Sequence, residues 1–264
     1  MLKKAILLFM GCFVWLALIL APPASHASFY SKSTARIDWS SLSISGIEIE
    51  WTSQESHPIA QIQDPNNQTG WGLPLKKDDW TASWEEREAS LSVGNTQSGA
   101  SSLANTGTSL NAEASAWSGG GDYWAWSQAD ALRSGTFTAL GDGNLTISVD
   151  YYLSQDLHTD SAGQYANGTA YASLGLSRHG EDGLMICDED GLYHKVYNGV
   201  SGFWEDSGTL AVTLKFTKDQ EGSFLASVKS CAEVSPVPVP STILLFASGL
   251  AGVFAIGRKR ALKG

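Results

Sequence analysis

The sequence is short of cysteine, of positive charge and of catalytic groupings. It has three cysteines in 264 residues and no Cys-x-x-Cys, which excludes a disulfide-dense scaffold and a four-cysteine zinc site. Lys and Arg number 17 against 27 Asp and Glu, a formal net charge of −10. Such an acidic chain repels phosphate backbones, so nucleic acid is not an expected partner. The five histidines show no His-x-x-x-His or Glu spacing for a metal, no Gly-x-Ser-x-Gly elbow exposes a serine, and no glycine loop is built to hold phosphate. We therefore expect no metal, no cofactor and no enzymatic activity. Long apolar runs are missing from residues 28–235 and confined to the two ends.

The N-terminal run is a targeting segment. Lys3 and Lys4 precede an apolar stretch from Ala5 to Leu20, and Ser25-His26-Ala27 follows Pro22-Pro23 as a small-x-small cleavage site. Residues 1–27 are thus read as a signal peptide, cleaved before Ser28. At the other end, residues 236–264 carry three consecutive signals. Proline alternates through Pro236, Val237, Pro238, Val239 and Pro240, removing backbone donors and favouring an extended segment. An uncharged run, residues 241–257, is long enough for a short single transmembrane helix. Arg258, Lys259 and Arg260, with Lys263 behind them, form a basic cluster that stays on the cytoplasmic side.

A Pro-x-Pro motif, a short span and a terminal Arg/Lys cluster together resemble the PEP-CTERM sorting tail of exported bacterial proteins, with Val239 standing where the family has a central Glu. The resemblance covers Val237 to Arg260. It implies processing by an exosortase, a membrane-embedded transpeptidase-like cysteine enzyme of bacteria that make extracellular polysaccharide. The protein would be held by its C-terminal helix before processing, then reside at the cell surface or be secreted.

Removing both ends leaves residues 28–235, enough for one domain with a sizeable core. All 27 acidic residues lie there with only eleven basic ones, a formal charge of −16. Its dominant period is two. Leu145, Ile147, Val149 and Tyr151 alternate with polar residues, as do Leu210, Val212, Leu214 and Phe216, so each run predicts a half-buried strand. The turn 218–222 should fold 223–231 back as the next strand. Further strands are expected around Ile37 and Trp39, Ile47 to Trp51, 123–129, 135–140, 169–177, 184–187 and 192–196. Ser83 and Glu86 have capping-box spacing, predicting a short helix over 83–89. Residues 52–79 read as long connecting loops, and the Ser/Ala/Gly-rich interval 90–121 as a flexible insertion or a flat edge strand with Ala112, Ala114 and Ala116 facing one way. The sum predicts an all-β antiparallel β-sandwich, jelly-roll-like.

Candidate chemistry in the domain is sparse. Cys187 and Cys231, the pair that survives processing, are candidates for a disulfide in an oxidising compartment. Trp124 and Trp126 sit two apart, so a strand would place both indoles on one face, where they would stack on sugar rings if exposed and fill the core if buried. Glu48 and Glu50 flank Ile49 as the carboxylates of a carbohydrate-active enzyme would, but their alternation with Ile47, Ile49 and Trp51 points both to solvent. Asp188 to Gly191 and Gly141 to Asn144 offer hard oxygens in turns without the frame of a calcium loop. The best-supported role is an exported cell-surface or matrix structural protein. Binding to extracellular polysaccharide is the first alternative and a carbohydrate-active enzyme the second.

Overall fold

The computed structural model describes residues 29–63, 74–95, 97–119, 123–159, 164–197 and 201–236. Twelve strands account for nearly all of them: β1 (Phe29–Gly46), β2 (Ile49–Gln63), β3 (Leu75–Asp78), β4 (Glu88–Gly94), β5 (Ser98–Asn105), β6 (Ser109–Ser118), β7 (Ala125–Ala139), β8 (Gly143–His158), β9 (Gln164–His179), β10 (Met185–Val196), β11 (Gly202–Phe216) and β12 (Glu221–Pro236). They form two six-stranded antiparallel sheets packed face to face. The first has the order β11-β8-β1-β6-β5-β4 and the second β10-β9-β12-β7-β2-β3. The sandwich is as the period-two pattern predicted, but it is not a jelly roll. It has twelve strands rather than eight, and the first and last strands lie in opposite sheets instead of pairing side by side.

The core changes along the strands. At one pole it is aromatic: Trp84 meets Trp39 and Trp51 edge-on at 5.1 and 4.7 Å, and Phe137, Phe216 and Phe224 complete the cluster. At the other pole, where β1 begins and β12 ends, Ala114, Ala116, Ala125, Ala166, Ala232 and buried serines stand among Phe29, Ile62, Leu157 and Val234. Small side chains let the sheets close in. Cα atoms of β6 and β12, in opposite sheets, come within 8 Å, nearer than the roughly 10 Å usual between packed sheets. Serine hydroxyls then reach across the gap to main chain. Ser31 Oγ donates to the Asn167 carbonyl at 2.5 Å and Ser127 Oγ to that of Ser115 at 2.9 Å.

Several expectations are corrected. Residues 83–89 are not helical: Trp84 donates its indole N–H to the Ser134 carbonyl at 2.8 Å, pinning the chain in an irregular turn, and Glu88 and Ala89 open β4. Residues 52–63 are the body of β2 rather than a loop, with Pro58 inside it. Residues 90–95 and 97–119 contribute to a meander of β4, β5 and β6, and β6 with its three buried alanines lies between β1 and β5 rather than at an edge. The candidates 123–129 and 135–140 are one strand, β7, and 184–187 and 192–196 merge into β10.

Cys187 and Cys231 are both free. The ladders explain why. Cys187 pairs with Ser177 on β9, and Ser177 pairs with Ser223 on β12, eight residues from Cys231. At about 3.3 Å per residue the two sulfurs sit some 26 Å apart along the strands, far beyond disulfide reach. Burial pushes the Cys231 thiol up to about 11, which holds it as an inert thiol. Asp188 and Asp190 lie in β10, not in a turn. Their carboxylates accept the main-chain N–H groups of Thr213 at 2.6 Å and Ala211 at 2.9 Å on β11, the neighbouring edge of the other sheet. The two targeting segments, 1–27 and 241–257, and the motif residues Val237 to Pro240 with Arg258, Lys259 and Arg260 lie outside the described residues. Among the described residues no helix is long and apolar enough to cross a membrane.

Candidate functional site

β7 carries its alanines inward and its larger residues outward. Ala125, Ser127 and Ala129 are buried between the sheets, so Trp126, Gln128 and Asp130 project from the outer face of the second sheet. Trp126 stands opposite Glu233 on β12, and Glu233 opposite Asn167 on β9. Trp124, just ahead of the strand, donates its indole N–H to Glu233 Oε1 at 2.8 Å, while Asn167 Nδ2 donates to Oε2 at 3.2 Å. Both carboxylate oxygens are thereby engaged. The Trp126 side chain hydrogen-bonds Cys231. The sequence-predicted pair of indoles is thus brought together on an outer face, both partly buried, around a carboxylate that sequence reasoning did not single out.

The same face continues toward the edge strand. The next row is Lys195, Thr169, Cys231 and Gln128, and the one after it Tyr193, Tyr171, Lys229 and Asp130. Tyr171 and Tyr193 pack edge-on at 6.4 Å, Lys195 Nζ lies 4.0 Å above the Tyr197 ring, and Lys229 Nζ is 3.6 Å from Asp130. Flat rings interleaved with amide, carboxylate and ammonium groups can stack on the apolar face of a sugar while exchanging hydrogen bonds with its hydroxyls. Glu233, opposite Trp126 on the ladder, carries no sequence motif, and the Asn-Gly-Thr sequon at Asn167 gives no sign of its contact with Glu233. Only strand register reveals them.

Glu48 and Glu50 are exposed at the opposite pole, Glu50 paired with Thr138 on the outer face. His158 stacks on Tyr30 at 5.6 Å, His194 stacks on Trp204 at 3.6 Å, and His179 is exposed at the end of β9. The structure keeps these three histidines apart. Among the described residues no cluster of three or more His, Cys, Asp or Glu could hold a metal ion.

Comparison with known proteins identifies the tail. Residues 236–260 match the PEP-CTERM protein-sorting motif. The chain therefore carries the sorting signal of an exosortase substrate, which implies export and a cell-surface or secreted location. No curated protein matches the chain. Among solved structures, that of infectious bursal disease virus strain Gx aligns at 9% identity and a TM-score of 0.09, over 83% of this chain and 64% of that one.

Proposed function

We propose that the protein is an exported structural component of the cell surface or extracellular matrix. It is a non-catalytic sandwich delivered by residues 1–27, held by residues 241–257 and processed by an exosortase that recognises Val237 to Pro240. The observation that carries this reading is the sorting motif, which begins at Pro236, the last residue of β12. Folded domain and address label adjoin without an intervening module. Mass spectrometry of the surface form tests the processing step: the expected C-terminus lacks Arg258-Lys259-Arg260, and an intact basic end overturns it.

A second reading has its own support, because Trp124 and Trp126 lie on an outer face beside Asn167 and Glu233. In that reading the face engages extracellular polysaccharide. Titration with the producer's own polysaccharide should change tryptophan fluorescence, and Trp124→Ala or Trp126→Ala should diminish the response. A flat titration removes this reading and leaves the structural one standing.

A further inference from the structure

The outer faces of the sandwich are polarised along the strands. At the pole farthest from the chain ends they carry hydroxyl ladders: Thr146 with Thr213 at 2.8 Å, Thr52 with Thr136 at 2.7 Å and Ser177 with Ser223 at 2.6 Å. At the pole where β1 begins and β12 ends, rings take their place on both faces. On the first sheet His158, Tyr30 and Trp117 form one row across β8, β1 and β6, and Phe203 on β11 heads the next. On the second sheet stand Trp126 and Trp124, with Tyr197 past the end of β10. Tyr30, Trp117, Tyr197 and Phe203 are 37, 39, 59 and 62% exposed. Trp117 lies flat on the sheet, since a Cβ at Gly99 beneath it would fall 2.5 Å from its Nε1.

The charges of this pole are sorted as well. Asp156 accepts the Tyr30 hydroxyl at 3.0 Å and Glu233 is engaged by Trp124 and Asn167, while Lys32 and Lys195 are exposed. Rings with polar edges beside exposed ammonium groups are what the headgroup layer of a bilayer selects. Covalent reach supplies the second argument. Only residues 237–240 separate Pro236 from the apolar run that starts at Ser241. A chain spans at most about 3.6 Å per residue, so this pole stands no more than about 18 Å from that run.

We propose that the tail-proximal pole is a bilayer-facing seat, in which Tyr30, Trp117, Tyr197 and Phe203, flanked by Trp124 and Trp126, rest at the headgroup level while residues 241–257 occupy the membrane. The proposal rests on the reading of 241–257 as a membrane segment. It adds that the domain itself touches lipid, so removal of the tail frees the pole as well as the chain end.

The test uses the full chain reconstituted into phosphatidylcholine vesicles, with nitroxide-labelled lipids as quenchers of tryptophan fluorescence. Headgroup-level nitroxide should quench the chain, and the quenched fraction should fall in Trp117→Phe and in Trp126→Phe. It should be unchanged in Trp80→Phe, which removes an exposed indole well away from this pole. Circular dichroism confirms that each variant is folded. Flotation separates the two claims. A chain that floats with its vesicles but shows no headgroup quenching, or equal losses in all three variants, overturns the seat and leaves the membrane segment intact. A chain that does not float overturns both. Quenching of Trp117 and Trp126 by soluble polysaccharide without any by vesicles overturns the seat in favour of glycan binding.

Discussion

Arg133 is the residue on which the aromatic pole depends. It is 3% exposed, donates from Nη2 to the carbonyls of Trp84 (3.0 Å) and Thr106, and lies 4.7 Å from the Trp39 ring centroid. Burial pushes its guanidinium down to about 10, with Glu86 opposing the shift, so it stays charged at neutral pH. Arg133→Ala would strip two carbonyls of their donor and open a hole beneath the indoles. A loss of about 3 kcal/mol is expected, read from the urea midpoint, with a smaller loss in Arg133→Lys. His194 gives a pH signature. It is stacked on Trp204, and its Nδ1 lies 2.7 Å from Gln155 Oε1. Burial lowers its pKa, and Asp206 partly offsets this. The unfolded chain therefore takes up the proton first as pH falls. This contribution is complete above about pH 6.5 and diminishes as the pH drops toward the folded value. Between pH 8 and pH 5 the wild type should lose more thermal stability than His194→Gln, and equal losses would sink the assignment.

At the scale of elements, the sandwich protects an open edge with side chains. β11 ends the first sheet, and Asp188 and Asp190 of β10 occupy two of its main-chain donors. An unpaired strand edge is a template for association. Asp188→Ala with Asp190→Ala should release those donors and raise the aggregation rate on mild heating, measured by light scattering, whereas Glu189→Ala, on the outer face, should not. Strands with a clean apolar alternation, such as β8 and β11, are legible in the sequence. β2 is not, because a bulge between Trp51 and Ser53 exchanges its faces and the buried set beyond it is Ser56, Pro58, Ala60 and Ile62. β7 reads as two pieces for a related reason: buried Arg133 and Gly135 interrupt the apolar face at its middle. The site was hidden by an inverted pattern. Trp124 and Trp126 are legible as a pair, but alanines sit inside and tryptophans outside, so hydropathy points the wrong way.

For the whole molecule, sheet order is the part least accessible to sequence. The partners of β1 are β6 and β8, so Tyr30 pairs with both Trp117 and His158, and no local pattern announces such distant pairings. Contacts this remote slow folding. Refolding of the exported domain from denaturant should take milliseconds to seconds or longer, and a microsecond phase carrying the full amplitude would contradict the topology. The same order decides how the molecule responds to force. The tail leaves from β12, which is flanked on both sides by antiparallel ladders running from Gly222 to Val234, with β7 on one side and β9 on the other. A pull on the tail loads these two rows in shear, so their hydrogen bonds share the tension and must fail together. An edge strand pulled from its end would instead unzip one bond at a time. The tether is fixed to the strand that tears out last.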